Sequence, residues 1–205
     1  MNKVIIKTAI ITFLALVVAF ILGVIGIYAF APRIAGKYCY ELGFKNMATE
    51  CNERVYTKTG EFSDLVELVD SAIYAENYGL ISTYGEEMVK RTSDFKSFCE
   101  SEVDEDYTED SYSTFDYYVN TTMLAKYSLG NVQNAIDFAF ESMSPKGYTE
   151  NSSLKMLVNM IESQDGLGQM ICDTYNNIPY DKGNKFFIGH EKFRTDMKNL
   201  GYPVN

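Results

Sequence analysis

The chain has 205 residues, with 28 acidic against 18 basic, a net charge of −10 and a single histidine. A surface this acidic repels nucleic acid and anionic lipid, which excludes both as partners. Four cysteines, Cys39, Cys51, Cys99 and Cys172, are too sparse for a disulfide framework and lack CxxC spacing. They read as small apolar residues in helix contacts, with one disulfide open if the domain faces an oxidising space.

The first element is the run from Thr8 to Ala31, which contains no charged residue. As a helix it is about 36 Å long, enough to cross a hydrocarbon core of about 30 Å. Residues 1–31 therefore read as a short tail and a membrane anchor, with residues 32–205 as the domain it carries. A cleaved signal peptide competes, because Ala29-Phe30-Ala31 has the small-x-small form of a cleavage site. The length of the run argues for retention, as does Pro32 at the first mature position. Lys3 and Lys7 precede the run while Arg33, Lys37 and Lys45 follow it, so the positive-inside rule is nearly balanced. The short tail and signal-like layout place the N-terminus in the cytoplasm and the domain outside.

After Ala31 the net charge is −12, since Lys3 and Lys7 precede it. Residues 32–58 pattern as helix with a break near Gly43, and Thr59-Gly60-Glu61-Phe62 marks a turn. Phe62, Leu65, Val66, Val69, Ala72 and Ile73 follow at three- and four-residue spacing, an amphipathic helix. Asn77 and Gly79 interrupt the pattern, which resumes from Leu80 to Arg91. Thr92-Ser93-Asp94 is expected to turn the chain into Phe95, Phe98 and Cys99.

Residues 100–116 are acidic and tyrosine-rich and are expected to form a long loop. An EF-hand over Asp104, Asp106, Thr108 and Asp110 fails, because Glu109 stands where glycine is needed and Phe115 where a bidentate glutamate is needed. Helical pattern returns from about Phe115 to Ser128, and again through Val132, Ala135, Ile136, Ala139, Phe140 and Met143. Two shorter helical segments, Leu154–Ile161 and Leu167–Tyr175, precede a loop at 179–183. A last helix is expected from about Asn184 to Leu200, its stripe made of Phe186, His190, Phe193, Met197 and Leu200. No run alternates as a sheet strand would, so the domain is all-α.

The inter-helix turns fall near Gly60, Ser93, Gly130 and Asp165, 33, 37 and 35 residues apart. A period near 34 with two helices per unit is the signature of a helical solenoid. Ala125, Tyr127, Leu129, Gly130 and Ala135 resemble the centre of the tetratricopeptide repeat motif. Val55-Tyr56 through Gly60-Glu61-Phe62, with Ala72 beyond, is similar to it again. The resemblance implies a solenoid of three to four helix pairs with the last helix as a cap. It further implies a concave groove lined by the first helix of each pair. Matched position by position, that groove holds Arg54, Thr57 and Lys58; then Tyr84, Glu87, Lys90 and Arg91; then Tyr117, Asn120, Thr121 and Tyr127. Its four basic residues suit an acidic segment of a protein or peptide partner.

His190 is the one histidine around which a nucleophile triad would have to be built, and no G-x-S-x-G, HExxH or P-loop accompanies it. The sequence implies no catalytic residue, metal or cofactor. The expected function is protein binding by a membrane-anchored scaffold or assembly factor. The alternatives are a tethered hydrolase using a carboxylate pair such as Glu86 and Glu87, and a cleaved, secreted binding domain.

Overall fold

The computed structural model describes residues 2–101, 111–178 and 187–204, and all regular structure among them is helical. The chain divides into two compact units, residues 1–75 and 76–205. Residues 102–110 of the segment expected as an acidic loop, with the EF-hand candidates, lie outside the described residues, as do the loop expected at 179–183 and Phe186.

In the first unit, α1 spans Asn2–Phe30. Within it Ile6–Phe30 is long and apolar enough to cross a membrane, with a mean hydropathy of 3.0. Ala31, at φ −130° and ψ 61°, ends the helix, and Pro32 opens α2 (Pro32–Glu41). Proline suits a first helical position because the N–H it lacks has no partner there, and it steers the preceding residue away from helical angles. Gly43 (φ +77°) turns the chain into α3 (Lys45–Thr59), as the sequence anticipates. Gly60 (φ +66°) closes α3 with its N–H donating to the Tyr56 carbonyl at 2.8 Å, and α4 (Phe62–Tyr74) returns along it.

Helix α3 packs between α2 and α4. A Cβ on Gly36 would meet Cys51 Cβ at 3.1 Å and Asn52 Oδ1 at 2.9 Å, so glycine sets the approach of α2 to α3. Ala48, Cys51, Leu65, Leu68, Val69 and Ala72 are buried beneath. Asp64 is almost fully buried and accepts from Arg33 Nη2 at 2.5 Å and Thr59 Oγ1 at 2.6 Å. The Tyr28 hydroxyl donates to Glu50, and the Arg54 guanidinium lies 4.6 Å from the Tyr28 ring centre. These contacts hold α3 against the last turn of α1.

The second unit begins with α5 (Tyr78–Lys90), capped by Asn77 Oδ1 accepting from the Leu80 N–H. Then come α6 (Thr92–Ser101), α7 (Ser111–Ser128), α8 (Val132–Glu141) and α9 (Ser153–Asn159). A 3-10 turn at Ile161–Ser163 leads to α10 (Leu167–Asn177), and α11 (His190–Asn199) follows. Helix α7 is central, packing on α5, α6, α8 and α9, while α8 also touches α9 and α10. Gly130 (φ +80°) makes the α7–α8 turn, and Ala135 is fully buried on α8.

Three boundaries differ from expectation. The turn expected at Thr92-Ser93-Asp94 is already the first turn of α6, and only Arg91 separates it from α5. Helix α7 starts at Ser111, inside the expected loop. Phe115 stacks on Phe95 at 5.1 Å and Tyr118 packs edge-on against Phe95 and Phe98, so aromatic burial recruits the turns before them. Finally, α11 starts at His190 rather than near Asn184. The Tyr148 N–H donates to Ile188 O at 2.8 Å and Gly189 sits at φ +83°, both incompatible with a continuous helix there.

Phe193 of α11 is fully buried and touches Phe140, Tyr148, Tyr175 and Phe187 at ring separations of 5.2–5.9 Å. Asp196, one turn on, accepts from Lys155 at 2.7 Å and Tyr148 at 2.9 Å. The C-terminal residues then return to α10, where a Cβ on Gly168 would strike the Tyr202 ring, and Val204 is buried. Phe193→Ala should therefore cost about 3–5 kcal/mol. Urea titration of the purified chain checks this, and a loss below about 1 kcal/mol would place the aromatic cluster outside the cooperative core.

Candidate functional site

Helices α5 and α7 meet closely, because Gly85 leaves room for the Thr122 side chain directly opposite. One residue further, Glu86 reaches across to Lys126 of α7 and along its own helix to Lys90. Lys126 is buried, and its ammonium also lies 5.4 Å from the Phe138 ring. Burial works against the charge on Glu86, but hydrogen bonds from Lys126 and Lys90 outweigh it and hold the carboxyl below its ordinary range. The Glu86 carboxyl is thereby engaged in two ion pairs, one along α5 and one across to α7.

Beyond this pair a cleft of about 680 Å³ opens at one end of the second unit. Val89 and Lys90 of α5 form one wall, and Lys96, Cys99 and Glu100 of α6 another. Phe115 of α7 and Glu141 of α8, with Met143 and Pro145 beyond it, complete the lining. Apolar side chains thus share the lining with two lysines and two glutamates. Cys99 is buried in this wall, and all four cysteines are free thiols. Burial raises the Cys51 and Cys172 thiols, the condition of inert core cysteines.

The expected groove residues fall in both units. In the first, Arg54 covers Tyr28, the exposed Thr57 donates to the Glu53 carbonyl at 2.7 Å, and Lys58 is exposed in the last turn of α3. In the second, α5 carries Tyr84, Glu87, Lys90 and Arg91, and α7 carries Tyr117, Asn120, Thr121 and Tyr127. Lys90 pairs with Glu86, and Arg91 with Asp94 at 3.0 Å. Tyr117 is exposed and lies edge-on to Tyr118. Asn120 donates to the Asn151 carbonyl at 2.8 Å, and Thr121 to the Tyr117 carbonyl. Burial raises the Tyr127 phenol.

Of these eleven residues Lys90 alone lines the cleft. The sequence singles out neither Lys96 nor Glu141 and marks Phe115 and Met143 only as helical pattern, since all four lie off the motif's groove positions. The Glu86–Lys90 spacing of four was the one visible signal. His190 Nε2 lies 2.8 Å from Glu191 at the start of α11. Among the described residues no cluster of histidine, cysteine or carboxylate side chains is arranged for a metal. No family model, curated protein or solved structure matches the chain.

The Glu86 pairs give a pH prediction. With its carboxyl lowered in the folded chain, Glu86 contributes stability that is complete above the ordinary glutamate value of about 4.3 and is lost as pH falls below it. Glu86→Gln should cost about 1–3 kcal/mol at pH 7, and the gap from the parent should narrow on acidification. Thermal midpoints of both proteins between pH 7 and pH 3 test this, and a constant gap would show that the pairs add no stability.

Proposed function

We propose that the protein is a single-pass membrane protein whose helical region binds another protein or peptide as a scaffold or assembly factor. The location rests on α1, whose large apolar side chains from Ile6 to Phe30 all stand exposed. Burying each removes about 1.5–3 kcal/mol of unfavourable hydration, which a bilayer would supply along the whole helix. The apolar run preceded by Lys3 and Lys7 has a signal-like layout, and we place the domain on the extracytoplasmic side.

The binding reading is carried by the cleft of the second unit. Its aromatic and aliphatic lining gives a peptide side chain apolar area, while Lys90 and Lys96, paired with Glu86 and Glu100 on their own helices, keep further N–H donors for an acidic segment. Within the second unit the hairpins α5–α6 and α7–α8, turning at Arg91 and Gly130, support a tetratricopeptide-like framework, with α11 as its cap. Nucleic acid is a poor partner, because residues 76–205 hold 21 acidic against 11 basic side chains.

Affinity capture from detergent-solubilised membranes tests the reading. The parent should retain a specific protein that Lys96→Glu and Met143→Ala variants lose, with helix content by circular dichroism unchanged. Equal capture by all three would remove the cleft as the binding face. Protease added to intact cells should digest the domain while a cytoplasmic marker survives. A protected domain would reverse the proposed orientation.

A further inference from the structure

We infer that α2 lies in the membrane interface, its outward face seated on lipid headgroups and the upper acyl chains. This rests on the membrane-spanning reading of α1 and goes beyond it. Ala35 and Gly36 face the unit's interior, whereas Ile34, Tyr38, Leu42 and Phe44 are 55%, 60%, 69% and 56% exposed. Ile34 and Tyr38 are one turn apart, with Lys37 beside them and Leu42 a turn further on. An apolar stripe bearing an aromatic ring and flanked by lysine is the pattern of a helix lying flat at the headgroup boundary.

Lipid is the occupant because this stripe continues the proposed span. Only Ala31 separates α1 from α2, and ten residues extend about 15 Å, so α2 stays close to the point where the chain leaves the bilayer. The ψ of 61° at Ala31 departs by about 100° from the helical value, so α2 does not continue along the axis of α1. The boundary itself is marked at Tyr28, where Glu50 and Arg54 of α3 bring charged groups to the last turn of α1. Charge agrees with this placement. The overall acidity that argues against anionic lipid resides in residues 76–205, since residues 1–75 carry seven basic and seven acidic side chains. Between 32 and 48, Arg33, Lys37 and Lys45 face only Glu41. The first unit therefore lacks the excess acidity that would hold α2 away from a charged headgroup layer.

The chain contains no tryptophan, so one introduced indole reports alone. Full-length Tyr38→Trp and Phe20→Trp would each be reconstituted into vesicles of mixed zwitterionic and anionic lipid, brominated either near the headgroup or at mid-chain. Phe20 lies within α1 and is exposed, so its tryptophan reports the span separately. The inference expects Phe20→Trp to be quenched by mid-chain bromine. Tyr38→Trp should emit further to the blue than a free indole and lose more emission to bromine near the headgroup. If Phe20→Trp is quenched and Tyr38→Trp is not, the span stands and the interfacial seat of α2 is overturned, leaving a protein partner to cover that face. An unquenched Phe20→Trp removes the span and the inference with it.

Discussion

Fifteen large apolar side chains between Ile6 and Phe30 stand exposed along α1, and the remainder of the first unit covers only its last turn. At about 1.5–3 kcal/mol each, their hydration amounts to tens of kcal/mol, more than the net stability of an ordinary domain. The contacts at the end of α1 follow from this constraint. Polar groups appear at Tyr28, where Glu50 and Arg54 meet it, and Arg33 reaches the buried Asp64 just beyond Pro32. Helix α3 is thus fastened to one end of α1 by a hydrogen bond and a cation–ring contact, while α2, α3 and α4 are held to one another by apolar packing and the Arg33–Asp64 pair.

The second unit depends on a different economy of space. Gly85 lets α5 approach α7 closely enough for Glu86 to meet Lys126 in a partly dry environment. Desolvating an ammonium is expensive, so an apolar pair of similar volume could be as stable. What the ion pair adds is register, since a slip of one residue would leave Lys126 buried without its carboxylate. The Thr122 hydroxyl, buried beside Gly85 with no hydrogen-bond partner, shows the cost of that closeness. Fixing α5 against α7 also fixes the cleft, whose walls are the ends of these two helices together with α6 and the end of α8.

Much of this architecture was legible in the sequence, because its signals are local. Gly43, Gly60 and Gly130 announced turns that need positive φ, and the stripe through Ala135, Ile136 and Ala139 announced a buried face. The errors came where tertiary contacts overrule local composition. Ser111 to Asp116 reads as a polar loop, yet the Phe95–Phe115 contact makes it helix. Residues 187–189 read as helix, yet the backbone bond between Tyr148 and Ile188 holds them in a turn. The cleft was the least legible feature. It gathers helix ends that are distant in sequence, and no motif ties Lys96 to Glu141.

The charge distribution bears on what the proposed binding cleft would accept. Residues 76–205 carry ten excess acids, so at distances beyond a Debye length of about 8 Å an approaching partner meets a weak negative field. At contact it meets Lys90 and Lys96 as well as Glu100 and Glu141. A partner acidic overall would be slowed on approach although an acidic segment could pair within the cleft. A partner basic overall, bearing one short acidic stretch, would be drawn in by the field and held by the lysines. The second combination uses both terms with the same sign, and an apolar anchor between its charges would match the Phe115 and Met143 part of the lining. Were a segment bound in the proposed site, its orientation would follow from the order of charge and apolar residue along it, rather than from net charge alone.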